Sequence, residues 1–226
     1  MNNAQVDHLV VMASSLDQAV AWSEATLGVT PGPGGEHPLM GTHNRLLKLQ
    51  GTAFPNAYLE LIAINSRAIK NQYTRASRWF DMNFSPLQAK IAAEGPKLIH
   101  FVARVPRVDV AVAALTALGI DRGPVIEASR STPAGVLRWR ITVREDGQRL
   151  FDGALPTLIE WDNVHPTQSM ADSGIALESL SIQHPQAEQL GVAFESIGLA
   201  SVPIDAGPAR ITARLATPKG PVELRS

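Results

Sequence analysis

The chain of 226 residues contains no cysteine. A disulfide framework, a thiolate nucleophile and a cysteine-type zinc site are therefore excluded, and any metal chemistry must rest on His, Asp and Glu. Aromatic residues make up only 5% and charged residues only 18%, with no charge run and a formal net charge of −1. This lacks the basic footprint of a nucleic-acid binder, so no nucleic-acid partner is expected. No stretch approaches the roughly 20 apolar residues that span a bilayer, so no membrane partner is expected. The opening MNNAQVDHLVV has neither a basic region nor a long apolar run, so no signal peptide is expected and the expected location is cytoplasmic.

What is present is 45% hydrophobic residues and an internal repeat. Residues 6–12, VDHLVVM, read as a buried strand. A capping signal at Ser14–Asp17 and a helical pattern come next, closed by Gly28. The unit recurs with LIHFVARV (98–105), a helix from Pro106 and Gly119. It recurs again with ALESLSIQ (176–183), a helix over Pro185–Ile197 and Gly198. His8 lies 20 residues before its glycine, His100 19 and Glu178 20. Such spacing at a fixed period is the mark of a repeat.

The strand patterns after each helix also repeat. After Gly28 come NRLLKLQ (44–50) and AYLELIAI (57–64); the strand expected just after the first helix is the least clear. After Gly119 come PVIEASR (124–130), VLRWRITV (136–143) and LPTLIEW (155–161). After Gly198 come VPID (202–205), ARITARLA (209–216) and PVELRS (221–226). The fold class predicted is α+β, built of repeated βαβββ modules, with a third C-terminal unit of module-like order. The predicted division is a paired domain over 1–163 (modules 5–65 and 97–162, with a helical linker at 66–96) and a third unit over 174–226.

The first two units each pair a histidine on the first strand with a glutamate on the last: His8 with Glu60, and His100 with Glu160. Strand alternation predicts His8 on one face with Val6 and Val10, away from Leu9. An ionisable group on so apolar a strand needs a partner, because an unpaired buried charge is costly. Two imidazoles and two carboxylates form a set that suits Zn, Ni, Co, Mn or Fe. The same residues also read as structural groups: His8 as a hydrogen-bonded strand histidine, Glu60 as half of a salt bridge with an arginine.

The segment DHLVV…LDQAVAW…LGV…GGEHPLMGTHNRLLKL…YLELIAI, with LPTLIEW later, resembles the glyoxalase-like domains of the vicinal-oxygen-chelate superfamily, over residues 5–163. That superfamily includes glyoxalase I, extradiol dioxygenases, methylmalonyl-CoA epimerase and bleomycin-type resistance proteins. The resemblance implies that two modules close a half-barrel around a divalent metal held by His8, Glu60, His100 and Glu160. It implies a small oxygenated substrate bound through the metal, with Glu160 or Glu60 as the proton-moving base. The third unit departs from the pattern, because Glu178 and Glu223 stand at the metal-type positions without a histidine.

Beside this set, His37, His43, Asn44 and Arg45 lie in or just after a Gly/Pro-rich loop. They read either as substrate contacts over the cleft or as polar residues of an ordered loop. Trp79, Phe80, Met82 and Phe84 in the linker read as core, as a subunit contact or as a pocket lid. Arg138 and Arg140 read as a solvated strand face or an anion contact, and His165 and His184 as loop residues. GPGG at 32–35 is not a phosphate loop, since no Gly-Lys-Ser/Thr comes after it. Three functions stay open at this point: a metal-dependent lyase, isomerase or dioxygenase; a metal-free protein that binds or sequesters a small molecule; and a dimerisation scaffold, with a homodimer as the expected assembly.

Overall fold

The structure is a computed structural model that describes residues 3–68, 76–132 and 135–226. Its strands belong to one mixed sheet. The first unit runs β1 (Gln5–Met12), α1 (Leu16–Thr26), a two-residue β2 (Glu36–His37), β3 (Thr42–Gln50) and β4 (Tyr58–Ile64). The linker carries α2 (Ser85–Glu94); residues 69–75, within the helical linker expected from sequence, lie outside the described residues. The second unit is β5 (Lys97–Arg104), α3 (Val108–Ala117), β6 (Val125–Thr132), β7 (Gly135–Thr142) and β8 (Thr157–Trp161). The third is β9 (Asp172–His184), α4 (Ala187–Ile197), β10 (Ile204–Ala206), β11 (Arg210–Thr217) and β12 (Gly220–Arg225). Gly28, Gly119 and Gly198 stand just past the helices they were expected to close, at φ of +76°, +75° and +73°.

The strand order is β12-β11-β9-β3-β4-β1-β5-β8-β7-β6, with β2 on β3 and β10 on β9. The first two units are related across the antiparallel β1–β5 seam, where His8 faces Val102 and Val10 faces His100. In each, the first strand runs parallel to the last, β1 beside β4 and β5 beside β8. The third unit has the element order of a module but not its pairing. Its first strand β9 runs antiparallel to β11, and β12 lies outside β11. A short parallel contact of β3 with β9 carries the sheet on into this unit.

Two buried clusters lie on the two faces. On one, Leu9, Val11, Phe101, Leu115, Phe194 and Leu215 pack together with α1, α3 and α4. This cluster joins all three units. On the other, Val10, Met12, Ile62, Val102, Ile141 and Ile159 are covered by Trp79, Phe80, Met82, Leu87 and Ile91 from the linker. Each such apolar side chain contributes about 1.5–3 kcal/mol by leaving water. Of the linker's large apolar residues, Trp79, Phe80 and Met82 are core, whereas Phe84 is 58% exposed.

The alternation expected for β1 is broken. A bulge between Val6 and His8 leaves Asp7 opposite no residue of β5. Val6 therefore joins Leu9 on the helix-covered face instead of sharing a face with His8. A second shift between Leu98 and His100 makes Ile99 the unpaired residue of β5. The two bulges are repeat-related, each one residue before the histidine.

Candidate functional site

The linker-covered face holds a cavity of about 40 Å³ lined by His8, His37, Asn44, Tyr58, Glu60 and Arg130, with Trp79, Phe80, Trp139 and Trp161 around them. Glu60 is buried on β4, whose alternation sends Tyr58 and Glu60 to the cavity and Leu59 and Leu61 to the helix-covered core. Its Oε1 accepts a hydrogen bond from Asn44 Nδ2 at 2.6 Å. Its Oε2 stands 3.7 Å from His8 Nε2, outside hydrogen-bond range. Tyr58 stacks on His8 with ring centroids 4.5 Å apart. Burial raises the Tyr58 phenol well above its usual range, and the carboxylates of Asp7 and Glu60 add to the rise, so it stays protonated.

His8 is held from behind. Its Nδ1 donates to Asp7 Oδ1 at 2.7 Å. The other Asp7 oxygen accepts from Trp161 Nε1 at 2.9 Å and from His165 Nε2 at 3.0 Å. Asp7 is completely buried. Burial alone pushes its carboxyl up, but the hydrogen bonds from His165 and His8 outweigh it and hold Asp7 well below the usual carboxylate range. An ionised Asp7 fixes the proton on His8 Nδ1 and aims Nε2 at Glu60. The bulge makes this possible, since it puts adjacent residues on the same side of one strand.

Asn44 is fixed by the Gly34–Gly35 loop. Gly35 N donates to Asn44 Oδ1 at 2.8 Å, which leaves the Asn44 amide nitrogen to face Glu60. A Cβ at Gly34 would lie 2.1 Å from the Asn44 carbonyl oxygen, so no other residue fits there. His37 Nε2 is 3.4 Å from Asn44 Nδ2, and its Nδ1 is 3.1 Å from Thr42 Oγ1. Burial, then the Arg130 charge, push the His37 imidazole down to about 3, so it is neutral near pH 7.

The four residues expected at a metal therefore divide. His8 and Glu60 meet, whereas His100 and Glu160 lie elsewhere. His100 Nδ1 bonds the Gly153 carbonyl at 2.8 Å, so it carries the proton. Its Nε2 accepts from Thr157 N at 3.1 Å and lies 3.0 Å from Thr157 Oγ1. Both nitrogens are thus consumed, Phe80 covers the ring at 5.1 Å, and burial lowers its pKa well below the ordinary imidazole value. Glu160 Oε2 accepts from Val108 N at 2.6 Å, at the first turn of α3, and reaches Arg140 at 3.5 Å. A carboxylate there satisfies an orphan helix donor and the positive end of the helix dipole.

Strand register explains the division. Glu60 is beside Val10, two residues past His8. The residue beside Val102, two past His100, is Thr157. Thr157 holds the repeat position of Glu60, and Glu160 is three residues further on. The fold family implies a divalent metal, and this donor set does not fit one. Among the described residues no group of three or more His, Asp or Glu is arranged to hold an ion.

Of the loop residues, His37 and Asn44 line the cavity. His43 and Arg45 alternate to the opposite side of β3, where His43 lies near Asp17 of α1 and Arg45 is exposed. Asp7, Tyr58, Arg130, Trp139 and Trp161 belong to the site without standing out as site residues in the sequence, where His165 reads as a loop residue. Asp7 carried a signal, as an acid inside an apolar strand. Arg130 carried none, because its position depends on the pairing of β6 with β7. Arg140 is paired with Asp109 at 2.8 and 2.9 Å. His184 is capped by Gln186 N and lies 3.3 Å from Asp152.

A mixed α+β sheet with a buried carboxylate–imidazole pair in its cavity is the arrangement of a glyoxalase-like protein of the vicinal-oxygen-chelate superfamily. The family model described as "Glyoxalase-like domain" matches residues 6–197, and the chain belongs to that family. None of the curated proteins matches the chain. Among solved structures, a hypothetical protein from Staphylococcus aureus is similar at 14% identity and a TM-score of 0.59, covering 98% of this chain and 85% of that one. A Streptomyces coelicolor methylmalonyl-CoA epimerase, in complex with 2-nitronate-propionyl-CoA, is 19% identical with a TM-score of 0.44, covering 71% and 96%. The Mycobacterium tuberculosis methylmalonyl-CoA epimerase is 18% identical with a TM-score of 0.40, covering 74% and 92%.

Proposed function

We propose that this chain binds a small oxygenated carboxylate in the half-barrel cavity and that Glu60 moves a proton on it. The observation that carries the reading is the Glu60 carboxylate itself. It is buried on the cavity wall and oriented by one strong donor from Asn44, and among the described residues the contact of its second oxygen is with His8 Nε2 at 3.7 Å, beyond hydrogen-bond range. A carboxylate oxygen held this loosely can accept a hydrogen bond from a ligand or take a proton from it. Arg130 supplies the positive charge that an anionic ligand needs, and the Asp7–His8 pair stands on the far side of Glu60 to receive or return a proton.

The test is hydrogen–deuterium exchange at C3 of small 2-oxo acids such as pyruvate, monitored by NMR. The chain is expected to accelerate exchange above buffer. Glu60→Gln is expected to slow it by about 10²-fold or more, the scale of a lost general base, while binding survives. Exchange that is unchanged in Glu60→Gln refutes the role of Glu60.

The aromatic lining by Trp79, Phe80, Trp139 and Trp161 favours a second reading, a metal-free protein that binds without chemistry. Tight binding of the same acids with no exchange selects it.

A further inference from the structure

We infer that the ligand is amphipathic: a carboxylate head in the small cavity, and an apolar tail in a second cavity that opens beside it. This rests on the proposed binding of a carboxylate beside Glu60. The head cavity of about 40 Å³ takes only a few atoms, whereas sites for organic ligands span about 300–1,000 Å³. A ligand confined to it is smaller than any such site is built for, so the rest of the molecule must lie elsewhere.

The adjoining space exists. A cavity of about 530 Å³ lies among the Gly/Pro loop before β3, the β6–β7 hairpin and the connector before β9. It shares Leu46, Arg130 and Pro166 with the head cavity. Val29, Pro33, Leu47, Leu137, Met170 and Ala171 give it an apolar wall, beside serines, threonines and Asp172.

Arg130 stands at the junction. Its Nε is buried and has no hydrogen-bond partner among the described residues. Leaving a guanidinium donor dry and unpaired is expensive, and an anion at the junction would satisfy it. The Arg130 side chain packs against the bare backbone of Gly35, where a Cβ would come within 2.5 Å of its Nη1. Gly34 thus places Asn44 for the head, and Gly35 lies against Arg130 at the junction. The specificity implied is for a carboxylate with an alkyl or aryl tail.

Calorimetric titration of the full chain with pyruvate, 2-oxohexanoate and 2-oxodecanoate tests this. Affinity should tighten along the series, by up to about three- to fourfold per buried methylene. Ser131 of β6 and Ser169 of the connector before β9 are exposed residues that line the second cavity. Ser131→Trp, and independently Ser169→Trp, should weaken 2-oxodecanoate at least tenfold more than pyruvate. Arg130→Ala should weaken all three acids. An affinity flat along the series, with pyruvate still weakened by Asn44→Ala, overturns the tail and leaves the head reading standing. Affinity that grows with length but ignores both Arg130→Ala and Asn44→Ala, or no binding of any acid, overturns both.

Discussion

At the scale of single residues, Asp7 decides most. It is a fully buried carboxylate with three donors, two of them imidazoles, and its ionised form positions His8. Asp7→Asn keeps the shape but removes the charge that two imidazoles and an indole were arranged around. Breaking a buried charge cluster costs on the order of 3–5 kcal/mol, so a large fall in melting temperature is expected. A variant that melts with the wild type shows that the cluster carries no stability. His37 sets a pH dependence. Its folded pKa is about 3, below the usual value of 6.5, so the unfolded chain binds more protons between those values. Stability contributed by neutral His37 is full above pH 6.5 and is lost as the pH falls toward 3. At pH 4.5 the loss is about 3 kcal/mol. Thermal melts at pH 7 and pH 4.5 should therefore differ, and His37→Asn should reduce the difference. An equal difference in both proteins assigns the acid sensitivity elsewhere.

At the scale of elements, the glycine loop, the bulges and the linker build the site. The GGEHPLMGTHN stretch reads from sequence as a specialised loop, and that reading extends to its purpose only with the neighbours in view. Gly34 is required by the Asn44 backbone, whereas a side chain at Gly35 would push only on the movable end of Arg130. Gly34→Ala should displace Asn44, cost about 1–3 kcal/mol through overpacking, and abolish pyruvate binding in calorimetry. Intact binding in this variant means that Asn44 does not hold the ligand. The His–Glu repeat was half legible. Both histidines sit at matching positions on β1 and β5, each beside a bulge, but the matching glutamate in the second unit is absent. Thr157 stands there, and Phe80 from the linker closes that half of the face over His100. Similar local contexts in YLELIAI and LPTLIEW concealed a three-residue offset that only the pairing with the first strand reveals.

At the scale of the whole molecule, the third unit is part of one core. Leu180, Ile182, Phe194 and Leu215 lie in the same cluster as Leu9 and Phe101, and β9 extends the sheet from β3. The connector before β9 also supplies Pro166 to both cavities. A chain ending at residue 173 should therefore expose the helix-covered face, bind a hydrophobic dye and lose its cooperative thermal transition. A sharp transition and no dye binding show that the first two units fold alone. No described helix is long and apolar enough to cross a membrane.

The sequence by itself determined what is local. Period-two and helical patterns, capping residues and closing glycines place the strands and helices to within a few residues, and their order displays the repeat. They do so because each depends on neighbours a few positions away. The tertiary structure decided which side chains share a cavity. A strand presents alternate residues to opposite faces, so one bulge or a short register shift reassigns every side chain beyond it. Those shifts are settled by pairing with strands dozens of residues distant. That is why His8 and Glu60 meet with Asp7 behind them, while His100 and Glu160 serve the fold instead.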